Sequence, residues 1–91
     1  MAVYVDCGRI PYHRMLMSHM LADTPEELHR MADLIGIDRR WFQRSSTPHY
    51  DVCQDRRRRA IEAGAVVVSR RETVAVMRRI RSETGVDWSP E

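Results

Sequence analysis

The chain has 91 residues and a formal net charge of +2, with 43% hydrophobic and 31% charged residues. These values are ordinary for one globular domain near the lower size limit for a self-sufficient core. A membrane-spanning protein is not expected, since no apolar run approaches the ~18–20 residues of a span, and the N-terminus lacks the pattern of a signal peptide. We therefore expect a cytoplasmic protein in which Cys7 and Cys53 are free thiols.

All 15 basic residues are arginine, and the chain contains neither lysine nor asparagine. Because the codons for lysine and asparagine are rich in A and T, this bias is typical of a GC-rich genome. A role in bidentate phosphate binding can therefore apply only to particular arginines. The small net charge gives weak support to a nucleic-acid partner, since acidic residues nearly offset the basic ones.

The first elements are predicted from apolar runs. Residues 2–6 form a β-branched and aromatic run that ends in Asp6 and indicates a buried strand. Residues 7–14 contain Gly8 and Pro11 and are typical of a loop. The second half of residues 15–22 predicts another buried strand.

The first helix has the clearest sequence signals. Thr24-Pro25-Glu26-Glu27 is a capping box with proline at the first helical position. Apolar residues at helical spacing follow, and Gly36 supplies a left-handed C-cap. We predict a helix from about Pro25 to Ile35, capped by Asp23 and Thr24, with His29 at the edge of its apolar stripe.

The central part of the chain combines short elements with a second helix. We predict a polar turn at 38–40, a short strand at 41–43 and a loop at 44–48, after which 49–52 is either a strand or the lead-in to the helix. The helix carries four successive arginines, Arg56 to Arg59, is capped by Asp51 or Asp55, and ends at Gly64. Arg57 falls on its inward stripe, whereas the other three arginines are expected to be solvated.

The last third of the chain predicts a strand and a third helix. Residues 65–68 are apolar and mostly β-branched, which indicates a buried strand. A second capping box, Ser69-x-x-Glu72, begins a helix that ends near Gly85, with Val74, Met77 and Ile80 facing inward. Residues 87–91 form a polar tail, from which Trp88 could fold back to cover an edge.

We therefore predict an α/β fold: one small domain over residues 1–86, with a partly parallel (mixed) sheet and about three helices packed on it. In parallel sheets, ligands bind beyond the carboxyl ends of the strands. If the predicted strands are parallel, the polar residues that end them converge on one rim: Asp6, Asp23, Gln43 and Ser69.

Several short motifs follow one another over roughly residues 3 to 68. They are Tyr4-Val5-Asp6, Ser18-His19-Met20, Ala22-Asp23-Thr24, Glu26-Glu27-Leu28-His29, Trp41-Phe42-Gln43, His49-Tyr50-Asp51, Arg57 and Gly64-Ala65-Val66. In these motifs the chain resembles the domain of unknown function 4031 family, small proteins of bacteria and their phages. The resemblance implies no assigned activity, but it implies a recurring polar set: Asp6, His19, Asp23, His29, Gln43, His49, Tyr50, Asp51 and Arg57.

The triplet His49-Tyr50-Asp51 has two interpretations. In an extended segment His49 and Asp51 share a face, so the carboxylate could orient the histidine as a general acid or base. Alternatively, the aspartate is a helix cap, the tyrosine belongs to the core, and the histidine makes a structural hydrogen bond.

Arg57 on an apolar stripe needs an anion, because burying an unpaired charge is costly. The anion is either a carboxylate of this chain, from Asp6, Asp23 or Asp51, or a phosphate or carboxylate of a ligand near the start of the second helix.

Aromatic, basic and metal-capable residues also have structural alternatives. Trp41 and Phe42 are either core residues or a platform for stacking a base. The arginine run 56–59 is either a solvated face or a phosphate-binding track. His19, Asp23 and His29 are metal-capable types, but their spacing matches no HxxxH or CxxC pair, so we predict neither a metal site nor a cofactor.

The leading hypothesis is a pocket that binds a phosphate-bearing ligand such as a nucleotide, with hydrolysis or transfer of a phosphoester as the reaction to test. The predicted catalytic residues are His49, Asp51 and Asp6. The predicted ligand-binding residues are Arg57, Gln43, Tyr50, His19, Asp23 and His29. The alternatives are a nucleic-acid-binding module built on the arginine helix and a non-catalytic interaction protein. A short chain with exposed sheet edges also fits a homodimer.

Overall fold

A computed structural model describes residues 2–90, which form one five-stranded mixed sheet with three α-helices. The elements in chain order are β1 (Val3–Val5), β2 (Ile10–Tyr12), β3 (Met15–Ala22), α1 (Pro25–Ile35), a 3-10 turn (Arg39–Trp41), β4 (Tyr50–Cys53), α2 (Gln54–Glu62), β5 (Val66–Val67) and α3 (Arg70–Ser82). The predicted fold class is confirmed. Met1 and Glu91, the outer ends of the predicted domain and tail, lie outside the described residues. No helix within residues 2–90 is long and apolar enough to cross a membrane.

The long strand β3 is the centre of the sheet. Met20 pairs with Val5 of β1 on one edge and with Tyr50 of β4 on the other. β2 pairs with the first half of β3 on the same edge as β1, and all three of these pairings are antiparallel. Only β5 is parallel to its neighbour, β1. The sheet is therefore mixed but mainly antiparallel.

This strand direction overturns the predicted convergence of polar residues on one rim. Asp6 follows β1, and Asp23 follows the antiparallel strand β3, so the two residues lie at opposite ends of the sheet. The main-chain hydrogen bonds agree, because the N–H of Asp6 donates to His19 O, whereas the N–H of Asp23 donates to Ala2 O. The prediction was wrong because it rested on parallel strands.

The two faces of the sheet carry different helices. On one face Val5, Met20 and Val52 belong to the main core together with apolar residues of α1 and α2. On the opposite face Leu21 contacts Val76 and Ile80 of α3. Because side chains alternate along a strand, His19 projects from the same face as Leu21, two residues nearer the start of β3.

The helix signals in the sequence were mostly reliable. The Thr24 hydroxyl caps α1, Gly36 ends it with a φ of 80°, and the Ser69–Glu72 capping box of α3 is present. The predicted cap of α2 was wrong, since the helix begins after Cys53 with no side-chain cap hydrogen bond. In α3, Val74 is exposed, and Thr73 and Val76 are buried instead. That helix ends at Ser82, three residues before Gly85.

Three short segments differ from prediction. Residues 65–68, predicted as a buried strand, contain the two-residue edge strand β5, in which Val66 and Val67 are 47% and 46% exposed. Residues 10–12, predicted as a loop, form β2, because the tight turn at His13 (φ 54°) folds them back along the start of β3. Residues 41–43, predicted as a strand, contain the end of a 3-10 turn, and only Gln43 bridges to His49. Trp41 is 55% exposed, which contradicts its interpretation as a core residue, whereas Phe42 packs against the core.

Candidate functional site

A row of polar side chains crosses three strands on one face of the sheet. His19 of β3 is the direct cross-strand partner of Asp51 of β4, and the main-chain N–H of Asp6 pairs with His19 from the β1 side. His49 precedes Asp51 by two residues and therefore projects from the same face. The register of the sheet thus brings Asp6, His19, Asp51 and His49 together.

Asp6 holds the ring of His19 in one orientation. Its carboxylate lies 2.8 Å from His19 Nδ1 and accepts further hydrogen bonds from the N–H groups of His19 and Gly8. Burial opposes ionisation of Asp6, but the hydrogen bonds from His19 and Gly8 outweigh it and hold the pKa of Asp6 below its ordinary value. The hydrogen bond to Asp6 raises the pKa of His19 against the opposing effect of burial. Because the ionised carboxylate can only accept, Nδ1 of His19 must carry the hydrogen.

The ring of His49 is held in the same way by the preceding loop. Its Nδ1 donates to the carbonyl oxygen of Thr47 at 2.8 Å. Thr47 is buried, and its Oγ1 accepts a hydrogen bond of 2.7 Å from Arg81 Nε, so α3 holds the loop that orients His49. The loop is further tied to α3 where Arg81 donates to Ser46 Oγ.

The three residues His19, His49 and Asp51, hereafter the His–Asp cluster, direct their functional atoms at one another. Asp51 Oδ1 lies 3.9 Å from His19 Nε2 and 3.3 Å from His49 Nε2, and all three ligand-type atoms lie within 4.8 Å of one another. The hydrogens are on the two Nδ1 atoms, so a neutral ring presents a lone pair at Nε2. Two lone pairs and a carboxylate therefore face the same small space, which favours a proton or a cation there.

A groove of about 450 Å³ adjoins this cluster and shares Asp51 with it. The β2–β3 hairpin and the segment that follows α1 form its walls, β4 forms its floor, and Arg56 enters from α2. Its lining residues are Tyr12, Met15, Met17, Gly36, Ile37, Asp38, Trp41, Gln43, Asp51, Cys53 and Arg56. The volume is typical of a small-molecule site, and aromatic, thioether and charged groups line it together.

The groove's arginine packs against the end of α1. A Cβ atom at Gly36 would lie 3.8 Å from Arg56 Cζ, in ordinary van der Waals contact. The left-handed conformation of Gly36 ends the helix there, and a positive charge is favourable near the carboxyl end of a helix. Arg56 also lies 3.6 Å from Asp55, measured between Nη1 and Oδ2.

Two predicted site residues, His29 and Tyr50, lie in the core. Tyr50 is fully buried, and its hydroxyl lies 2.8 Å from His29 Nδ1, while His29 Nε2 donates to the Trp88 carbonyl oxygen at 2.8 Å. Burial raises the pKa of Tyr50 to about 12. The hydroxyl is therefore the donor to His29, and this chain of hydrogen bonds ties α1, β4 and the C-terminal segment together. Trp88 also packs against both core clusters, which are the main core and the smaller apolar cluster that Leu21 forms with α3.

Asp23 lies outside the cluster, at the opposite end of the sheet. Its carboxylate accepts hydrogen bonds from the Tyr4 hydroxyl, the Ala2 N–H and the Arg79 guanidinium. Burial works against its ionisation, but these hydrogen bonds prevail and lower the pKa of Asp23. Asp23 thus joins the start of β1 to α3, and the helix cap is Thr24 alone.

Arg57 reaches Asp6, but not through the expected ion pair. Its Nε donates to the Asp6 main-chain carbonyl at 2.9 Å, and its Nη2 lies 3.8 Å from Cys7 Sγ. Cys7 and Cys53 are free thiols, as predicted. Asp55 of α2 pairs with the neighbouring arginines Arg56, Arg58 and Arg59.

Sequence reasoning missed Thr47, Arg81 and Arg56. Thr47 orients His49 through its main-chain oxygen, which any residue could supply, and the partner of its hydroxyl, Arg81, is distant in the sequence. Arg81 is one of several arginines on α3, and only the three-dimensional structure distinguishes it. Arg56 was expected to be solvated, but its place in a groove could not be expected. One wall of the groove is β2, which was predicted as a loop, and the residues that end the 3-10 turn were predicted as a strand.

A family model described as protein of unknown function (DUF4031) matches residues 3–80 of the chain. The match spans most of the 91 residues, and the chain belongs to this family. The search of curated proteins finds no match, and neither does the search of solved structures.

Proposed function

We propose that this member of the DUF4031 family binds a small phosphate-bearing ligand, a nucleotide in the first instance, in the groove beside the His–Asp cluster. The observation that carries the proposal is that one groove has aromatic walls, an arginine and, at Asp51, direct continuity with two oriented histidines. These are the groups that a base, a phosphate and a reacting phosphoester respectively require.

The aromatic walls support a planar ligand. Trp41 is 55% exposed and Tyr12 is 52% exposed, and both line the groove, so their rings are accessible to a ligand there. Stacking of a base on such a ring contributes about 1–3 kcal/mol and does not depend on the identity of the base. Gln43 and Asp38 add hydrogen-bonding groups to the same groove.

Arg56 is the proposed anion-binding group in place of the predicted Arg57. Arg56 lines the groove, whereas the Nε of Arg57 is engaged by the Asp6 main chain. A guanidinium binds phosphate with two parallel hydrogen bonds, and the neighbouring Asp55 is shared with Arg58 and Arg59.

Hydrolysis or transfer of a phosphoester is the reaction we assign to the site. The Asp6–His19 pair resembles an oriented base, since a carboxylate holds Nδ1–H and leaves Nε2 free to accept a proton. His49, oriented by Thr47, is the second proton acceptor at the same place. Asp6 therefore supports His19 in this proposal, so that His19, predicted as a ligand-binding residue, becomes a proton acceptor.

The nucleic-acid alternative has less support from the structure. The guanidinium groups of Arg58 and Arg59 lie 2.5 Å and 3.3 Å from Asp55, and Arg58 also lies 3.6 Å from Glu62. Because the arginine charges are neutralised within the helix, they bind the phosphates of a nucleic acid less strongly.

A cytoplasmic location and a homodimer stay predictions. The exposed edge strand β5, with Val66 and Val67, offers a place where two copies would pair.

A thermal-shift panel tests the proposal with inorganic phosphate, nucleosides, nucleotides and short oligonucleotides. A ligand at ~100 times its Kd adds about 2.7 kcal/mol of stability. We expect a nucleotide to stabilise the wild type, the effect to fall in Arg56→Gln, and Arg59→Gln to respond as the wild type does. Arg59 is the matched control, because it pairs with the same Asp55 but does not line the groove. No shift with any phosphate-bearing compound would refute the proposal, and a salt-sensitive response to oligonucleotides alone would favour the alternative.

A further inference from the structure

The His–Asp cluster has the composition and spacing of a metal site that the sequence analysis did not predict. The metal-capable residues recognised from the sequence were His19, Asp23 and His29, but Asp23 lies at the other end of the sheet and His29 is hydrogen-bonded within the core. The fold instead brings His19 to His49 and Asp51, which are 30 or more positions away in the sequence.

We propose that His19 Nε2, His49 Nε2 and the Asp51 carboxylate bind one divalent transition-metal ion. A tetrahedral ion with bonds of about 2.0–2.1 Å separates neighbouring ligand atoms by roughly 3.3–3.5 Å. Asp51 Oδ1 lies 3.3 Å from one Nε2 and 3.9 Å from the other, and the three ligand atoms lie within 4.8 Å of one another. Side-chain rotations that draw these atoms together around an ion would complete the geometry.

The orientation of both rings supports a metal more strongly than the distances alone. Metal-binding histidines donate their second N–H to a carboxylate or a main-chain carbonyl, which fixes the tautomer and directs the lone pair at the ion. His19 makes this hydrogen bond to Asp6, and His49 makes it to the Thr47 carbonyl, each at 2.8 Å. A histidine that serves only packing does not need the second nitrogen aimed at another imidazole and a carboxylate.

The supports of the rings are themselves held in place. Two main-chain N–H groups, from Gly8 and His19, anchor the Asp6 carboxylate. The Arg81 guanidinium anchors Thr47 through Oγ1. This layer fixes both imidazoles before an ion arrives, so little side-chain entropy is lost on binding.

The ligand set also indicates the class of ion. Two imidazoles and one carboxylate suit Zn²⁺, Fe²⁺ and related transition metals, whereas Mg²⁺ and Ca²⁺ prefer sites made of oxygen atoms. Three protein ligands leave coordination positions open, and the Asp51 side chain is 40% exposed at the groove. An ion there would offset the negative charge of the Asp51 carboxylate, which would otherwise repel a phosphate in the groove.

This inference rests on the cluster geometry and goes beyond the proposed function. With an ion bound, the Nε2 atoms of His19 and His49 are metal ligands and do not accept protons. Metal binding and proton transfer by these two atoms can therefore be tested separately. Nucleotide binding measured through Trp41 in metal-free protein reports on the groove. Metal binding in nucleotide-free protein reports on the cluster, and either can fail alone.

Calorimetric titration of tag-free protein with Zn²⁺, and absorption spectra with Co²⁺, test the inference. We expect one ion per chain, and losses of affinity in His19→Gln, His49→Gln and Asp51→Asn larger than the 10–100-fold typical of a lost second-shell partner. His13→Gln is the matched control, because His13 lies in the exposed β2–β3 turn and should leave the affinity unchanged.

A second measurement uses the wild type alone and needs no variant to fold. In long-range ¹H–¹⁵N spectra, Zn²⁺ should shift the Nε2 resonances of His19 and His49 and leave those of His29 in place. The inference is overturned if no ion binds at millimolar metal, if the His13 variant loses affinity as the cluster variants do, or if the His19 and His49 resonances do not move.

Discussion

His19 of β3 and Asp51 of β4 are direct cross-strand partners, with the histidine Nε2 3.9 Å from the carboxylate Oδ1. Residues so far apart in the chain meet because antiparallel pairing places them opposite each other on the same face of the sheet. The same strand register brings in Asp6, which follows β1, and His49, which precedes β4. The candidate site is therefore mainly a consequence of strand pairing, and loops contribute to it at Gly8, at Thr47 and in the groove walls.

Trp41→Ala should weaken ligand binding and have little effect on folding. The exposed ring contributes little to the core, so the free energy of unfolding should change by no more than about 0.5 kcal/mol. Loss of a stacking contact costs about 1–3 kcal/mol, or roughly 5- to 150-fold in the Kd of a nucleotide. Calorimetric titration measures the Kd and urea unfolding measures the stability. Leu34→Ala is the control, since Leu34 is 67% exposed and does not line the groove; equal Kd values in the two variants would remove Trp41 from the site.

Tyr50→Phe should destabilise the fold and leave the groove and the His–Asp cluster functional. The substitution removes the donor to His29 Nδ1 and leaves a buried acceptor unpaired, at a cost of about 1–3 kcal/mol. Tyr12→Phe, at an exposed tyrosine, should stay within about 0.5 kcal/mol of the wild type. Urea unfolding measures both. If Tyr50→Phe is as stable as the wild type, the buried chain of hydrogen bonds through His29 does not contribute to the stability of the fold.

Thr47→Val should disturb the loop that orients His49. The valine keeps the volume of the buried threonine but removes the oxygen that accepts from Arg81 Nε, and hydrogen bonds to charged groups contribute about 1.5–3 kcal/mol. Ser46→Ala removes the more exposed contact of the same guanidinium and should cost less. The His49 side-chain ¹⁵N resonances should broaden or shift in Thr47→Val alone. Unchanged His49 resonances would show that Arg81 and Thr47 do not position the ring.

Asp23 should contribute stability that depends on pH. Its pKa is lowered in the folded protein, so the ionised form is favoured by folding, and the stability it contributes is present above the ordinary value of 3.8. That contribution is lost as the pH falls below 3.8 and through the lower pKa of the folded state. Urea unfolding of the wild type and Asp23→Asn should therefore differ most near neutral pH and converge in acid. A constant difference across this range would contradict the lowered pKa.

Much of the scaffold could be predicted because its signals are local. Thr24, Pro25 and Gly36 mark the ends of α1, and Ser69 with Glu72 marks the start of α3, since capping depends on residues a few positions apart. The apolar strands next to Asp6 and Asp23 were recognisable for the same reason. Strand direction was not, because it depends on contacts between distant segments, and the error placed Asp6 and Asp23 on one rim.

The candidate site was predicted in part. His19, His49, Asp51 and Asp6 were all singled out, and the structure brings them together. His29 and Tyr50 were singled out as well, but α1 and β4 turn them into the core, which residue type alone does not reveal. For Trp41 the sequence left a core position and an exposed stacking platform open, and the 3-10 turn after Asp38 leaves its ring exposed.

The most direct test of the proposed groove is a ¹H–¹⁵N titration of the wild type with a nucleoside monophosphate, following the two indole N–H resonances. Trp41 lies in the groove, and Trp88 packs against the core clusters, so each molecule contains its own control. We expect a saturable shift of the Trp41 indole resonance together with those of the His19 and His49 side chains, while the Trp88 resonance stays fixed. An unmoved Trp41 indole at millimolar ligand, or a shift confined to Trp88, would contradict it.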